Sequence, residues 1–162
     1  MNPGEIKLKA VNTSNKKDLN ALHSFIHKFH TAPKTILPDR EQLKSSSHRF
    51  FWAIAIAPAE MRGKVIGITS YEIRTKFLVE SQRTIVAPEF RGEGWGKVIS
   101  QSIEDQARKA GFCKVRTTIY STNLTMIAIK LAQGYMIEGF HPDHEAPGLH
   151  EYSLGKVLKR RG

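Results

Sequence analysis

Between Gln82 and Lys97 the chain changes its period, and that change limits what the whole can fold into. Gln82 to Ala87 is rich in β-branched residues and stops at Pro88, which has no N–H to give a strand ladder. Gly92, Gly94 and Gly96 then alternate and leave the backbone bare. Beyond them Trp95, Val98, Ile99, Ser102, Ile103, Gln106, Ala107 and Ala110 fall at steps of three and four, one face of a helix, and Gly111 supplies a stop. The stretch therefore reads as strand, glycine turn, amphipathic helix.

Such a turn has a definite chemistry. The first N–H groups of a helix lack intrahelical partners, and the helix dipole places roughly half a positive charge there. Glycines let an anion approach those groups. Arg91 and Lys97 flank the turn with further positive charge, so a phosphate cradle is expected. The spacing is neither G-x-x-x-x-G-K-[ST] nor G-x-G-x-x-G, which argues against a Walker loop and a dinucleotide-binding turn. The plain alternative is that the glycines only tighten a turn.

Arg91-Gly92-Glu93-Gly94-Trp95-Gly96, preceded by Val86-x-Pro88-x-Phe90, resembles the (Q/R)-x-x-G-x-(G/A) signature of the GNAT superfamily of acetyl-CoA-dependent N-acyltransferases. The resemblance implies that this turn binds the pyrophosphate of coenzyme A through Arg91, Gly92, Glu93, Gly94, Trp95, Gly96 and Lys97. It implies further that backbone N–H groups at Ile85 or Val86 face the acetyl carbonyl. A second stretch, Asn123 to Tyr135, is similar to the family's N-x-x-A-x-x-L-Y-x-K-x-G-F, where Asn123 and its helix contact the pantetheine side. Met126 and Ala132 depart from it, and Lys130 stands where the family often has the tyrosine that protonates the departing thiolate.

The remaining segments read in order as follows. Ile6 to Val11 alternates as a strand. Asn15 caps a helix with Leu19, Leu22, Ile26 and Phe29 on its buried stripe. His23 and His27 share that helix, without the glutamate of an H-E-x-x-H motif, and read as a surface face. A second helix starts at Asp39. Strands follow over 49–57, 64–74 and 77–87, then the long helix, a strand over 113–120, and a helix over 123–133 whose apolar residues on two sides predict deep packing. Strands over 135–140 and 149–158 close the order, with 141–148 as a loop between them and a basic tail over 156–161. This order matches the GNAT fold over essentially the whole chain: an α/β (α+β) domain spanning 1–162, with a mixed, mostly antiparallel sheet of about seven strands flanked by four helices.

At 162 residues the chain is long enough for a real core. Its single cysteine, Cys113, rules out an intrachain disulfide and fits a cytoplasmic setting, as does an N-terminus without a signal peptide's apolar core. The longest apolar run, 50–59, is far short of a membrane span. A net charge of +10 favours anionic partners, coenzyme A among them. Scattered Lys and Arg without a recognition-helix or aromatic RNA-binding signature argue against nucleic acid.

Acetyl transfer to an amine needs the amine to lose a proton, donors for the oxyanion, and a thiolate that leaves. Glu80, on the strand entering the turn, is the candidate base, because some family members carry a glutamate there; it shares side-chain parity with Val86 unless a bulge intervenes. The alternative for Glu80 is a strand carboxylate paired with a lysine or arginine, and Glu72 is the second choice of base. Tyr120 is a candidate acid, beside Tyr152 and a Lys130 that reads as an ordinary surface lysine. His141, Asp143, His144, Glu145, His150 and Glu151 form a ligand-rich cluster without a metal-site spacing; it reads as a polar loop or as part of the acceptor pocket. No metal is expected. The expected activity is N-acetyl transfer from acetyl-CoA to an amine-bearing acceptor in a ternary complex, with a homodimer possible. A non-catalytic acyl-CoA sensor is the alternative.

Overall fold

The computed structural model describes residues 3–158. Lys159, Arg160 and Arg161 of the basic tail lie outside the described residues. The order is β1 (Glu5–Ala10), α1 (Lys16–Phe29), α2 (Arg40–Ser45), β2 (Arg49–Ala57), β3 (Val65–Ile73), β4 (Leu78–Val86), α3 (Trp95–Lys109), β5 (Lys114–Tyr120), α4 (Leu124–Ala132), β6 (Met136–Ala146) and β7 (Leu149–Val157). The strands form one seven-stranded sheet in the order β1-β2-β3-β4-β5-β7-β6. β4 and β5 pair in parallel, whereas β1–β2, β2–β3, β5–β7 and β6–β7 pair antiparallel. The expected sheet and its four helices are therefore present.

Two compact units make up the chain: residues up to Tyr71 with Arg83–Ser102, and Glu72–Gln82 with the chain from Ile103 onward. In the first, α1 starts where Asn15 accepts hydrogen bonds from the N–H groups of Lys17 and Asp18, and it buries Leu19, Leu22 and Ile26. α2 opens with a reciprocal capping box between Asp39 and Gln42. Ala53, Ala55, Ile66, Trp95 and Ile99 form a core cluster, joined at its edge by Ile6, Leu8, Met61, Val86 and Phe90. Small residues on β2 leave room there for the indole of α3.

β3 and β4 approach closely at Gly67, where a Cβ would stand inside contact distance of the Ile85 carbonyl oxygen. Gly67→Ala is therefore expected to cost about 2–3 kcal/mol through overpacking. A urea titration checks this: the midpoint falls with m unchanged, and an unchanged midpoint would show that the strands separate freely.

In the second unit, Val79, Ile103, Ala107, Val115, Ile119, Leu154 and Leu158 are buried. Two expectations fail here. Residues 141–146 are strand rather than loop: β6 continues to Ala146 with a register shift after His141, held by Asp143 N–H to His150 Nδ1 (3.0 Å) and Gly148 N–H to Asp143 Oδ1 (2.7 Å). Pro142 is tolerated because β6 is an edge strand. Nor is α4 deeply packed. Leu124 is 71% and Leu131 44% exposed, and the helix's one buried residue is Lys130. Apolar periodicity shows which residues prefer a core but not whether a partner covers them.

Candidate functional site

The glycine turn lies in the first unit and is built by its own sequence. Gly92 and Gly94 take φ of +78° and +87°, values that L side chains seldom adopt. A Cβ on Gly92 would meet nothing within 4 Å, and one on Gly94 would meet only the Pro3 ring. The backbone there is bare toward solvent, as a cradle requires. The Gly94 carbonyl accepts the N–H groups of Lys97 (3.1 Å) and Val98 (3.4 Å), so α3 begins directly from the turn. Trp95, 2% exposed, pins the first helical residue into the core, and its Nε1–H reaches Glu93 Oε2 at 3.1 Å. Gly96 is half-buried and Lys97 exposed.

Arg91 is bound into the framework. Its Nε donates to the Val86 carbonyl (2.9 Å) and its Nη2 to the Phe29 carbonyl (2.8 Å), tying the turn to the end of β4 and to the C-terminus of α1. Ile85 is buried and Val86 half-buried. The Ala87 N–H is taken by the Ile66 carbonyl (2.9 Å). Arg83, within β4, has φ +49°, a left-handed turn in mid-strand. An irregularity of this kind removes the simple parity between Glu80 and Val86.

Glu80 lies in the second unit, 3% exposed, on the part of β4 that pairs with β5 from Leu78↔Lys114 to Ser81↔Thr117. Arg74 reaches both of its oxygens (3.2 and 3.4 Å), Gln82 donates to Oε1 (2.9 Å), and Arg116 donates twice to Oε2, through Nε at 3.1 Å and through Nη2. Burial works against the charge, but the hydrogen bonds from Arg116, Arg74 and Gln82 outweigh it and hold the carboxyl below its ordinary value. Glu72 pairs with the same Arg74 at 3.4 Å.

A second buried network was not visible in the sequence. Glu104 on α3 is fully buried and accepts from Lys156 Nζ at 2.8 Å. Lys130 is 6% exposed, with its Nζ 4.5 Å from the centre of the Tyr135 ring. Burial pushes the Lys130 amine down to about 8, with Lys156 adding to the effect and Glu104 opposing it. The reading of Lys130 as a surface lysine is thus corrected. Burial, followed by the Glu104 charge, keeps the Tyr135 phenol protonated. The signal in the sequence is slight: Glu104 falls next to the apolar stripe of α3, where a carboxylate needs a partner.

The strands β5, β6 and β7 gather the remaining candidates. The Tyr120 hydroxyl donates to Glu145 Oε2 at 2.7 Å. Glu151, 4% exposed, sits opposite Tyr120 on β5 and His141 on β6. Tyr152 packs against Phe140, with ring centroids 5.1 Å apart. Asn123 caps α4, accepting from the Met126 N–H at 3.2 Å. On α1, the His23 and His27 rings stack at 4.1 Å, and His27 Nε2 donates to the Pro38 carbonyl at 2.9 Å. Among the described residues no group of three or more His, Cys, Asp or Glu could hold a metal ion. Nor, among them, is any helix long and apolar enough to cross a membrane.

A seven-stranded mixed sheet with a bare glycine turn opening its long helix defines an acetyltransferase-type framework. The acetyltransferase (GNAT) family model matches residues 19–135, and the chain belongs to that family. No curated protein matches it in sequence. Among solved structures it is similar to the ribosomal-protein-S18-alanine N-acetyltransferase of Escherichia coli, at TM-score 0.74 and 13% identity, over 97% of this chain and 96% of that one. It is also similar to the spermidine N-acetyltransferase of Vibrio cholerae in complex with CoA and spermine, at TM-score 0.73 and 15% identity, over 94% and 95%. A third similar structure is the IAA acetyltransferase of Bacillus cereus ATCC 14579, at TM-score 0.67 and 16% identity, over 95% and 100%.

Proposed function

We propose that this chain acts as a single N-acetyltransferase domain in the cytoplasm, moving an acetyl group from acetyl-CoA to a primary amine by direct transfer in a ternary complex. The observation that carries the reading is the turn over 91–97, where two glycines at positive φ leave space for a phosphate against the start of α3. In this reading Gly92, Glu93, Gly94, Trp95 and Gly96 offer backbone N–H groups to the pyrophosphate, Lys97 adds the charge of its side chain, and Arg91 fixes the turn's shape while adding charge. Asn123 shapes the start of α4 on the pantetheine side. The backbone at Ile85 or Val86 serves the oxyanion. Acetyl-CoA supplies the acyl group, and no metal enters.

Two points of chemistry follow from the side chains. Glu80 would have to release Arg74, Arg116 or Gln82 to take up a proton, so its role as base requires that network to open. For the departing thiolate, Tyr120 would have to turn its hydroxyl away from Glu145, whereas Lys130 at about 8 is close in acidity to a thiol at about 8.5. A sensor that binds acyl-CoA without turnover draws its support from the same Lys130, which replaces the family's tyrosine. Product formed with any amine dismisses it.

A thermal melt with and without acetyl-CoA tests the reading, repeated on Gly94→Glu with each protein compared against its own unliganded melt. Ligand at about 100 times its Kd adds about 2.7 kcal/mol, a shift of several degrees at this size. The expected result is a shift in the parent that is lost in the variant. No shift in the parent at millimolar acetyl-CoA would mean that the fold has been kept without its ligand.

A further inference from the structure

On a chain with net charge +10, the second unit brings three carboxylates together, those of Glu80, Glu145 and Glu151. Their surroundings differ. Glu80 is balanced by Arg74 and Arg116. Glu145 is exposed and accepts the Tyr120 hydroxyl. Glu151 is 4% exposed, and its Oε2 receives no hydrogen bond. The basic side chain that approaches it is the His144 imidazole, whose Nε2 stands 3.7 Å away and whose side chain is 50% exposed. A buried carboxylate oxygen without a donor is costly, and folded proteins seldom leave one so unless something else completes it.

We infer that Glu151 is the anchor of an ammonium subsite, which takes the acceptor as a primary alkylammonium cation beneath the exposed side chains of His144 and Glu145. This rests on the transferase reading above and narrows its acceptor class. A cationic alkylamine gives the Glu151 carboxylate both a donor and a balancing charge, whereas a neutral arylamine or an alcohol gives a donor alone and leaves the buried charge unbalanced. The groups facing Glu151 agree with a missing cation. Tyr120 on β5 is committed to Glu145, Glu80 on β4 is committed to its arginines, and β6 contributes His141, His144 and Glu145. His141 is engaged with Ser153, 3.1 Å away. Burial, then the charge of Glu145, raises the Glu151 carboxyl above its ordinary range, with His144 opposing and Glu80 adding to the rise. A bound ammonium would reverse that shift, since an opposite charge favours the ionised form.

The test is a titration of the full chain with n-butylammonium chloride, followed by backbone amide NMR shifts, beside n-butanol as the neutral counterpart. Saturable shifts at Tyr120, Glu151 and Tyr152 are expected with the ammonium and not with the alcohol. Glu151→Gln, nearly isosteric and uncharged, should lose affinity by about tenfold or more, as expected for a charged hydrogen bond. It should melt no lower than the parent, because Oε2 accepts no hydrogen bond that the change would lose, and burial and Glu145 both disfavour the charge removed. Glu151→Met provides a second variant of similar length. Equal affinity in the variants, equal binding of butanol, or no saturable shift in the parent would overturn the subsite. Failure of the transferase reading looks different: butylammonium would bind the parent, while acetyl-CoA would leave the melts of parent and Glu151→Gln unchanged.

Discussion

Replacing Glu104 by leucine is expected to destabilise the protein by about 3–5 kcal/mol, the cost of breaking a buried pair from one side. Glu104 is fully buried and holds Lys156 Nζ at 2.8 Å. Lys156, with 22% of its side chain exposed, can turn toward water, but Lys130, 6% exposed, cannot. Leucine would remove the Glu104 charge that favours the Lys130 cation and keep the Lys156 charge that opposes it. The pH dependence identifies the cause. In the fold Lys130 titrates at about 8, against an ordinary 10.5. Between those values the folded chain therefore holds fewer protons than the unfolded one, and stability rises with pH across that window. Without Glu104 the Lys130 value drops further, so the loss on Glu104→Leu is largest below pH 8 and shrinks above it. Adding Lys130→Met to Glu104→Leu should recover much of the loss and flatten that pH response. Urea midpoints of the single and double variants from pH 6 to 10 (a range bracketing the value near 8) measure both effects. Additive losses without a pH trend would show that the two residues do not interact.

Trp95→Ala is expected to cost about 3–5 kcal/mol, the usual penalty for removing a large buried aromatic. At about 2–4 °C per kcal/mol for a chain of this size, the melting midpoint should fall by roughly 6–20 °C. The residue is 2% exposed and packs with Ala53, Ala55, Ile66 and Ile99. Alanine at that position would face two alanines of β2, and a void among short side chains closes poorly. The effect should reach function because Trp95 is also the first residue of α3, set directly after Gly94. Trp95→Phe, which keeps most of the volume but not the Nε1–H to Glu93, should lose much less stability. Melts of the two variants with and without acetyl-CoA separate packing from turn geometry. If Trp95→Ala melted within a degree or two of the parent, the indole would not be what holds the turn to the core.

The linear order of residues determined the parts of this protein that depend on local chemistry. The run of β-branched residues into Pro88, the three glycines and the three-and-four stripe from Trp95 specify strand, turn and helix without reference to the rest of the chain. Asn15, Asp39 and Asn123 cap their helices for the same reason: the donors they satisfy lie two or three residues away. The family resemblance was legible from the same local motifs.

Tertiary structure decided what each charged residue faces. Glu80 could be read as a base because sequence does not reveal that Arg74, six residues before it, and Arg116, thirty-six residues after it, close on its carboxylate. Glu151 was one of several acidic residues in a polar stretch until β5 and β6 enclosed it. Lys130 lay at a helical position among apolar neighbours, and the fold exposes Leu124 and Leu131 while burying the lysine. Hydrophobic period is a property of one segment. Whether a charge is hydrated, paired or left bare depends on the segments packed against it, and in this chain those lie far off in sequence: 52 residues between Glu104 and Lys156, and 62 between Arg91 and the Phe29 carbonyl.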